Sequence, residues 1–419
     1  MSSPKALVIN IAALAPQHVA QCPALSRLAD SGWTAPMTPV FPAVTCAAQA
    51  TLTTGLPPSA HGIIANGLFD RDKLEVAFWE QPAKLVQAPR LWDILKQRSP
   101  AATCAVLFWQ HSLYANADVV VTPKPIHLEH GMLSWCYSKP AGYYEELCGA
   151  LGKFKLHNYW GPLAGIGSSR WIAAAAARTL RTKQPDLTMV YLPHLDYSFQ
   201  KYGPNSPRTA RDLKLVDDLV AEIVAAAAPG TTVFVVSEYS ITSVTGAILP
   251  NQLLRCAGLL AVREIGGGEY LDIERSAAFA MVDHQVAHVY CKPDAVEPAR
   301  RALAAAGVEF RRPDHPRSGE LVAVAPRDKW FAYYWWLEPR KAPPFARHID
   351  IHRKPGYDPC ELWFDWPLLR IPMKPGLVKG SHGRDDAPAT FVVTGPQAPP
   401  RRERVAMTDV AGWILDCYR

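Results

Sequence analysis

Short apolar runs alternating with stretches of helical spacing constrain the fold of this chain more than any other feature. Ala6–Ile11, Cys104–Trp109, Leu187–Leu192 and Thr232–Val236 are largely apolar, the mark of strands covered on both faces. Between them the period changes. Ala47–Thr54 reads as a helix that stops at Gly55, with Pro57 and Pro58 beyond it. Ser168 or Ser169 is placed to cap a helix over Trp171–Arg181. Pro207 suits the first turn of a helix whose Leu213, Val216, Leu219, Val220 and Ile223 share one face. Strands and helices in alternation predict an α/β fold, a mostly parallel sheet sandwiched by helices.

The pattern shifts after about residue 245. Glu269–Ile273 and His288–Lys292 read as strands and Glu297–Ala306 as a helix, followed by Val308–Arg311. The expected organisation is a core over 1–245, a small α+β cap insertion over 246–327, and a closing part of the core over 328–419. The aromatic stretch Asp328–Trp336 reads as core packing of a returning strand. Its alternative is the lining of a pocket for a flat apolar group.

At 419 residues and 49% hydrophobic composition, the chain can bury a large core. A net charge of +6, with basic runs only at Arg311-Arg312 and 401–404, argues against nucleic acid as a partner. The nine cysteines form no C-x-x-C pair, which suggests reduced thiols and a cytoplasmic location. The first residues lack the pattern of a signal peptide, and no apolar run is long enough to cross a bilayer. Oligomeric state is not encoded in any pattern of the sequence.

In an open α/β sheet, ligands bind beyond the carboxyl ends of the strands. Pro193-His194-Leu195-Asp196 follows one strand and Ser237-Glu238-Tyr239 another, while Thr45 opens a helix. Two carboxylates and a hydroxyl thus converge on one edge. A hydroxyl at a helix N-terminus is well placed for phosphate, because free N–H groups and the helix dipole favour an anion there. Position alone favours the plainer reading of Thr45 as an N-cap.

The segments 38–46 and 50–67 resemble the nucleophile region of the nucleotide pyrophosphatase/phosphodiesterase family, part of the alkaline phosphatase superfamily. Residues 191–204 resemble its Asp-x-x-x-His-x-x-Gly-Pro motif, Val235–Ile241 stands at its Ser-Asp-His-Gly motif, and Lys379–Gly383 resembles its Gly-x-His-Gly motif. The resemblance implies an alkaline-phosphatase-like core, a phosphodiester or phosphoanhydride substrate, Thr45 as nucleophile and Asn66 as a contact to a phosphate oxygen. It also implies divalent metal, usually zinc, clamping the phosphoryl group.

The expected ligand set is altered. Ala12 stands where the family has its first Asp, Gln200 replaces the His of Asp-x-x-x-His, and Glu238-Tyr239 replaces Asp-His. Asp196 and His382 match by identity and Glu238 by charge. One ion, two or none are therefore open. A relocated site has candidates in His284 and His288 and in His352; Arg353 and Lys354 offer direct anion binding. His194 and Asp196 fall on one side if their segment is extended. The functional reading is a metal-dependent hydrolase-like protein acting on a small phosphorylated substrate. The alternatives are a non-hydrolytic binding protein on the same fold, or a transferase that passes the phosphoryl group to an alcohol.

Overall fold

The structure, a computed structural model, describes residues 4–348 and 363–419. His352, Arg353 and Lys354 lie outside the described residues. At the centre is a nine-stranded sheet. Its strands in chain order are β1 (Ala6–Ile11), β2 (Trp33–Thr38), β3 (Cys104–Leu107), β4 (Val119–Pro123), β5 (Cys136–Lys139), β6 (Leu187–Leu192), β7 (Thr232–Val236), β8 (Ala389–Thr394) and β9 (Val405–Ala406). They lie in the order β9-β2-β8-β7-β1-β6-β3-β4-β5. The pairings from β7 through β4 are all parallel. β8 runs antiparallel between β7 and β2, and β5 runs antiparallel to β4. Strands β1, β6 and β7 are buried along their whole length, as their apolar composition requires.

Four helices position the site: α1 (Thr45–Thr54), α2 (Ile166–Thr182), α3 (His194–Tyr202) and α4 (Thr209–Ala225). Helix α1 ends at Gly55, whose φ of 72° is the left-handed conformation glycine adopts cheaply. The expected face of α4 is buried through Leu213, Val216, Leu219, Val220 and Ile223.

Several expected boundaries move. β3 stops at Leu107 because Phe108 takes a φ of 60°, which no strand accommodates. Helix α2 begins after Gly165, so Ser168 and Ser169 are buried inside it, and Ser168 donates its hydroxyl to the Gly165 carbonyl. Pro207 precedes the helix cap, Arg208. His194 and Asp196 are helical, not extended, so their side chains diverge by roughly 200° around α3 instead of sharing a side.

A four-stranded antiparallel sheet builds a second core, in the order Ala278–Asp283, Val286–Cys291, Leu321–Val324, Glu309–Arg311. The helix Val296–Ala304 packs there through Ala299 and Leu303. The aromatic stretch makes only a short strand, Lys329–Phe331, parallel to Gly246–Ile248. Tyr333, Tyr334, Trp335 and Trp336 are all buried in this second core. No helix among the described residues is long and apolar enough to cross a membrane.

Candidate active site

Parallel pairing of β6, β1 and β7 brings their carboxyl ends to one edge. Helix α3 leaves β6 there, Ser237–Tyr239 leaves β7, and α1 starts nearby. Thr45 is the first residue of α1, with Val44 in the cap position. Its hydroxyl does not close the helix end. That role falls to Asn66, whose side-chain Oδ1 accepts the Cys46 backbone N–H at 2.9 Å.

The Thr45 hydroxyl instead lies 3.0 Å from the Tyr239 hydroxyl, which donates to Asp196 Oδ1 at 3.0 Å. A phenol has one hydrogen. Since Tyr239 gives it to Asp196, Thr45 must be the donor in the first bond. The result is an ordered chain: threonine hydroxyl, phenol, carboxylate. Gln200, one helical turn beyond Asp196, donates to its Oδ2 at 2.7 Å. The two residues standing where the resemblance expects imidazoles thus both act as neutral donors to Asp196.

His382 stacks flat on Tyr239, with ring centroids 3.7 Å apart and 3° between planes. Its Nδ1 lies 2.9 Å from the Ala43 carbonyl. That oxygen can only accept, so Nδ1 carries the hydrogen and Nε2 presents a lone pair, 3.7 Å from Asp196 Oδ1. Burial lowers the His382 pKa to about 3, so the ring is neutral. The His284 ring lies 3.9 Å from that of His382. It is placed by a tight hairpin joining Ala278–Asp283 to Val286–Cys291, where His284 takes a φ of 58°. Such a conformation in a residue with a side chain marks local strain. Burial, then the neighbouring His382, keeps His284 well below its ordinary pKa.

Asp283 begins the same turn and cradles Asn66. Its Oδ2 accepts the Asn66 backbone N–H at 2.7 Å and its Oδ1 the Asn66 amide at 3.0 Å. His288 points elsewhere, bonded to the Ile64 carbonyl at 3.0 Å and receiving the Gly319 N–H at 3.3 Å. It pins one segment to the second core.

Glu238 is buried beside the chain, and its Oε1 accepts from Asn10 at 2.8 Å and from Gln49 at 2.5 Å. Burial, with a smaller contribution from Asp196, pushes its carboxyl up to about 8, against the lowering effect of the Gln49 and Asn10 bonds. A carboxyl that stays protonated at neutral pH is a poor metal ligand. The folded protein holds this proton more tightly than the unfolded chain, whose carboxyl ionises near 4.5. This contribution to stability is full below that value and lost as pH rises through about 8. Glu238→Gln keeps the acceptor for both donors and removes the titration. The variant should show a flatter melting temperature than wild type across that window; identical pH profiles would contradict the assignment.

These residues do not fit a two-metal centre. Among the described residues there is no group of three or more His, Cys, Asp or Glu side chains that could hold a metal ion. Ala12 offers a methyl group, both Asp196 oxygens accept from neutral donors, and burial raises the Tyr239 phenol so that it keeps its proton. Asn10 and Gln49 were not anticipated from the sequence. A polar residue inside the apolar run of β1, and a glutamine one turn beyond Thr45, were the available signs.

The family model for type I phosphodiesterase / nucleotide pyrophosphatase matches residues 6–358. The chain belongs to this family. The family is one of hydrolases of phosphodiester bonds, and its members generally depend on a divalent metal. The structure of murine ectonucleotide pyrophosphatase/phosphodiesterase 5 is similar, with a TM-score of 0.59 and 18% identity over 98% of this chain and 94% of that one. The human protein of that name gives 0.62 and 16%, over 98% and 93%. An inactive form of the murine protein in complex with AMP gives 0.60 and 17%, over 99% and 95%. At these identities the likeness shows the fold, an alkaline-phosphatase-like one with its sheet flanked by helices.

Proposed function

We propose that this chain hydrolyses small phosphodiesters of nucleotide type, with Thr45 attacking phosphorus and Asp196 as the base reached through Tyr239. The observation that carries this reading is the ordered hydrogen-bond chain from Thr45 to Asp196. A nucleophile linked to a base, and the base held by a third group, is the arrangement hydroxyl activation needs. Here Gln200 is that third group. Family membership and the AMP bound to the similar murine protein support the substrate class.

As the new O–P bond forms, the Thr45 proton passes to the Tyr239 oxygen while the Tyr239 proton passes to Asp196. The phenol holds its proton too firmly to become an anion, so both transfers occur together. The ester oxygen of the leaving group departs with the electrons of the broken P–O bond. Water then attacks the phospho-threonine and gives up a proton through solvent to the departed ester oxygen, while the P–O bond to Thr45 breaks and Asp196 returns its proton through Tyr239 to the Thr45 oxygen. Asn66 uses one amide hydrogen on Asp283, leaving the second for a phosphoryl oxygen beside the α1 N-terminus. No step is assigned to a metal.

A second reading has its own support: two neutral imidazoles and the altered ligand set leave little positive charge beside Thr45, as suits a protein that binds phosphodiesters without cleaving them. Hydrolysis of bis(4-nitrophenyl) phosphate separates the two. Under the first reading, Thr45→Ala reduces turnover by about 10³-fold or more, and Thr45→Ser retains part of it. Turnover unchanged in Thr45→Ala would sink the nucleophile. Saturable binding without turnover in the wild type would establish the second reading.

A further inference from the structure

Helix α3 has a second polar face. Asp196 and Gln200, four residues apart, serve the Thr45 site. His194, Ser198 and Lys201 recur at i, i+4 and i+7 on another face. Together with Arg208, Arg211 and Asp212 at the start of α4, they line a cleft of about 220 Å³. Its lining holds three cationic side chains and one carboxylate.

His194 is 7% exposed, and its Nδ1 has no hydrogen-bond partner among the described residues. Its Nε2 stands 3.5 Å from Asp212 Oδ1, while Asp212 Oδ2 accepts the Ser198 hydroxyl. Asp212 is thus engaged on the protein side of the cleft. Two of the cations lie against aromatic rings. Arg208 lies 4.2 Å over Tyr202, and Lys201 lies 5.1 Å from the centre of the Trp363 ring. Burial and then the charge of Arg208 lower the Lys201 pKa, as expected where like charges crowd without an anion between them.

We propose that this cleft binds a phosphate group, free or as the phosphomonoester of a small molecule, at a site separate from Thr45. Two guanidinium forks and an ammonium match the geometry and charge of a phosphate dianion. The buried His194 imidazole lines the same cleft, with Nε2 turned to Asp212 and Nδ1 without a hydrogen-bond partner among the described residues. The site needs no chemistry at Thr45, so it stands or falls independently of hydrolysis.

The test uses the full chain titrated with inorganic phosphate and, separately, with AMP, at low ionic strength. Calorimetry reads affinity, and the His194 ring resonances, assigned by their loss in His194→Gln, read location. Wild type binds both ligands saturably with movement of the His194 signals. The double variant Arg208→Gln/Arg211→Gln, altered only at exposed positions, binds at least about tenfold more weakly. AMP binding more tightly than phosphate assigns the site to phosphomonoesters, and equal affinity assigns it to free phosphate. Absence of saturable phosphate binding, affinity unchanged in the double variant, or shifts at His382 with none at His194 would each overturn the proposal.

Discussion

Replacing Tyr239 with phenylalanine is expected to lower phosphodiester turnover by about 10² to 10⁴-fold, the range for loss of a proton-transfer partner. The substitution removes one oxygen and little else. The phenyl ring keeps its volume and its flat stack on His382, 3.7 Å away in the wild type. The link between Thr45 and Asp196 is broken, because each was bonded to the missing hydroxyl. The net loss of stability should be only about 1–2 kcal/mol. The measurement is kcat with melting temperature on the same preparations. Full activity in a well-folded Tyr239→Phe protein would show that Thr45 does not lose its proton through the phenol. The phenol would then serve only to hold the Thr45 hydroxyl in place.

Asp283→Ala should produce the largest loss of stability among the site residues, about 4 kcal/mol. Two buried donors, the backbone and side-chain N–H groups of Asn66, lose their acceptor, at about 1–3 kcal/mol each. The effect spreads, because Asn66 in turn holds the Cys46 N–H at the start of α1. Asp283→Asn retains one acceptor oxygen and should lose about half as much. Urea unfolding at constant m-value reads both. A loss below about 1 kcal/mol for Asp283→Ala would mean that Asn66 finds another partner and that the cradle does not hold the helix end.

The two substitutions probe different layers of one site. Tyr239 acts on the proton of Thr45, whereas Asp283 acts on the backbone that presents Thr45. Turnover should fall in both, but only Asp283→Ala should also shift the unfolding midpoint strongly. That contrast separates chemistry from positioning.

Much of the fold was legible in the sequence because burial on both faces leaves a direct trace. β1, β6 and β7 occupy the segments where apolar runs announced them, and α1 stops at the expected glycine. Polar or short segments left weaker traces. Ser168 and Ser169 had the chemistry of a cap, but the chain turns helical earlier, after Gly165. An extended segment after β6 would have put His194 and Asp196 on one side; it folds as α3, which turns His194 away from Asp196. Periodicity over three residues is too short to choose between the two geometries.

The sequence by itself determined four strands of the nine-stranded sheet, the position of Thr45 at a helix start, and the identities that depart from a standard ligand set: Ala12, Gln200 and Tyr239. Tertiary structure alone decided what those replacements do. Side chains separated by tens to hundreds of residues met only when parallel pairing aligned the ends of β6, β1 and β7. Tyr239 then came between Thr45 and Asp196, His382 lay flat against it, and Asp283 reached Asn66. The direction of each hydrogen bond follows from how many hydrogens each group owns, and no one-dimensional pattern records which neighbour receives them.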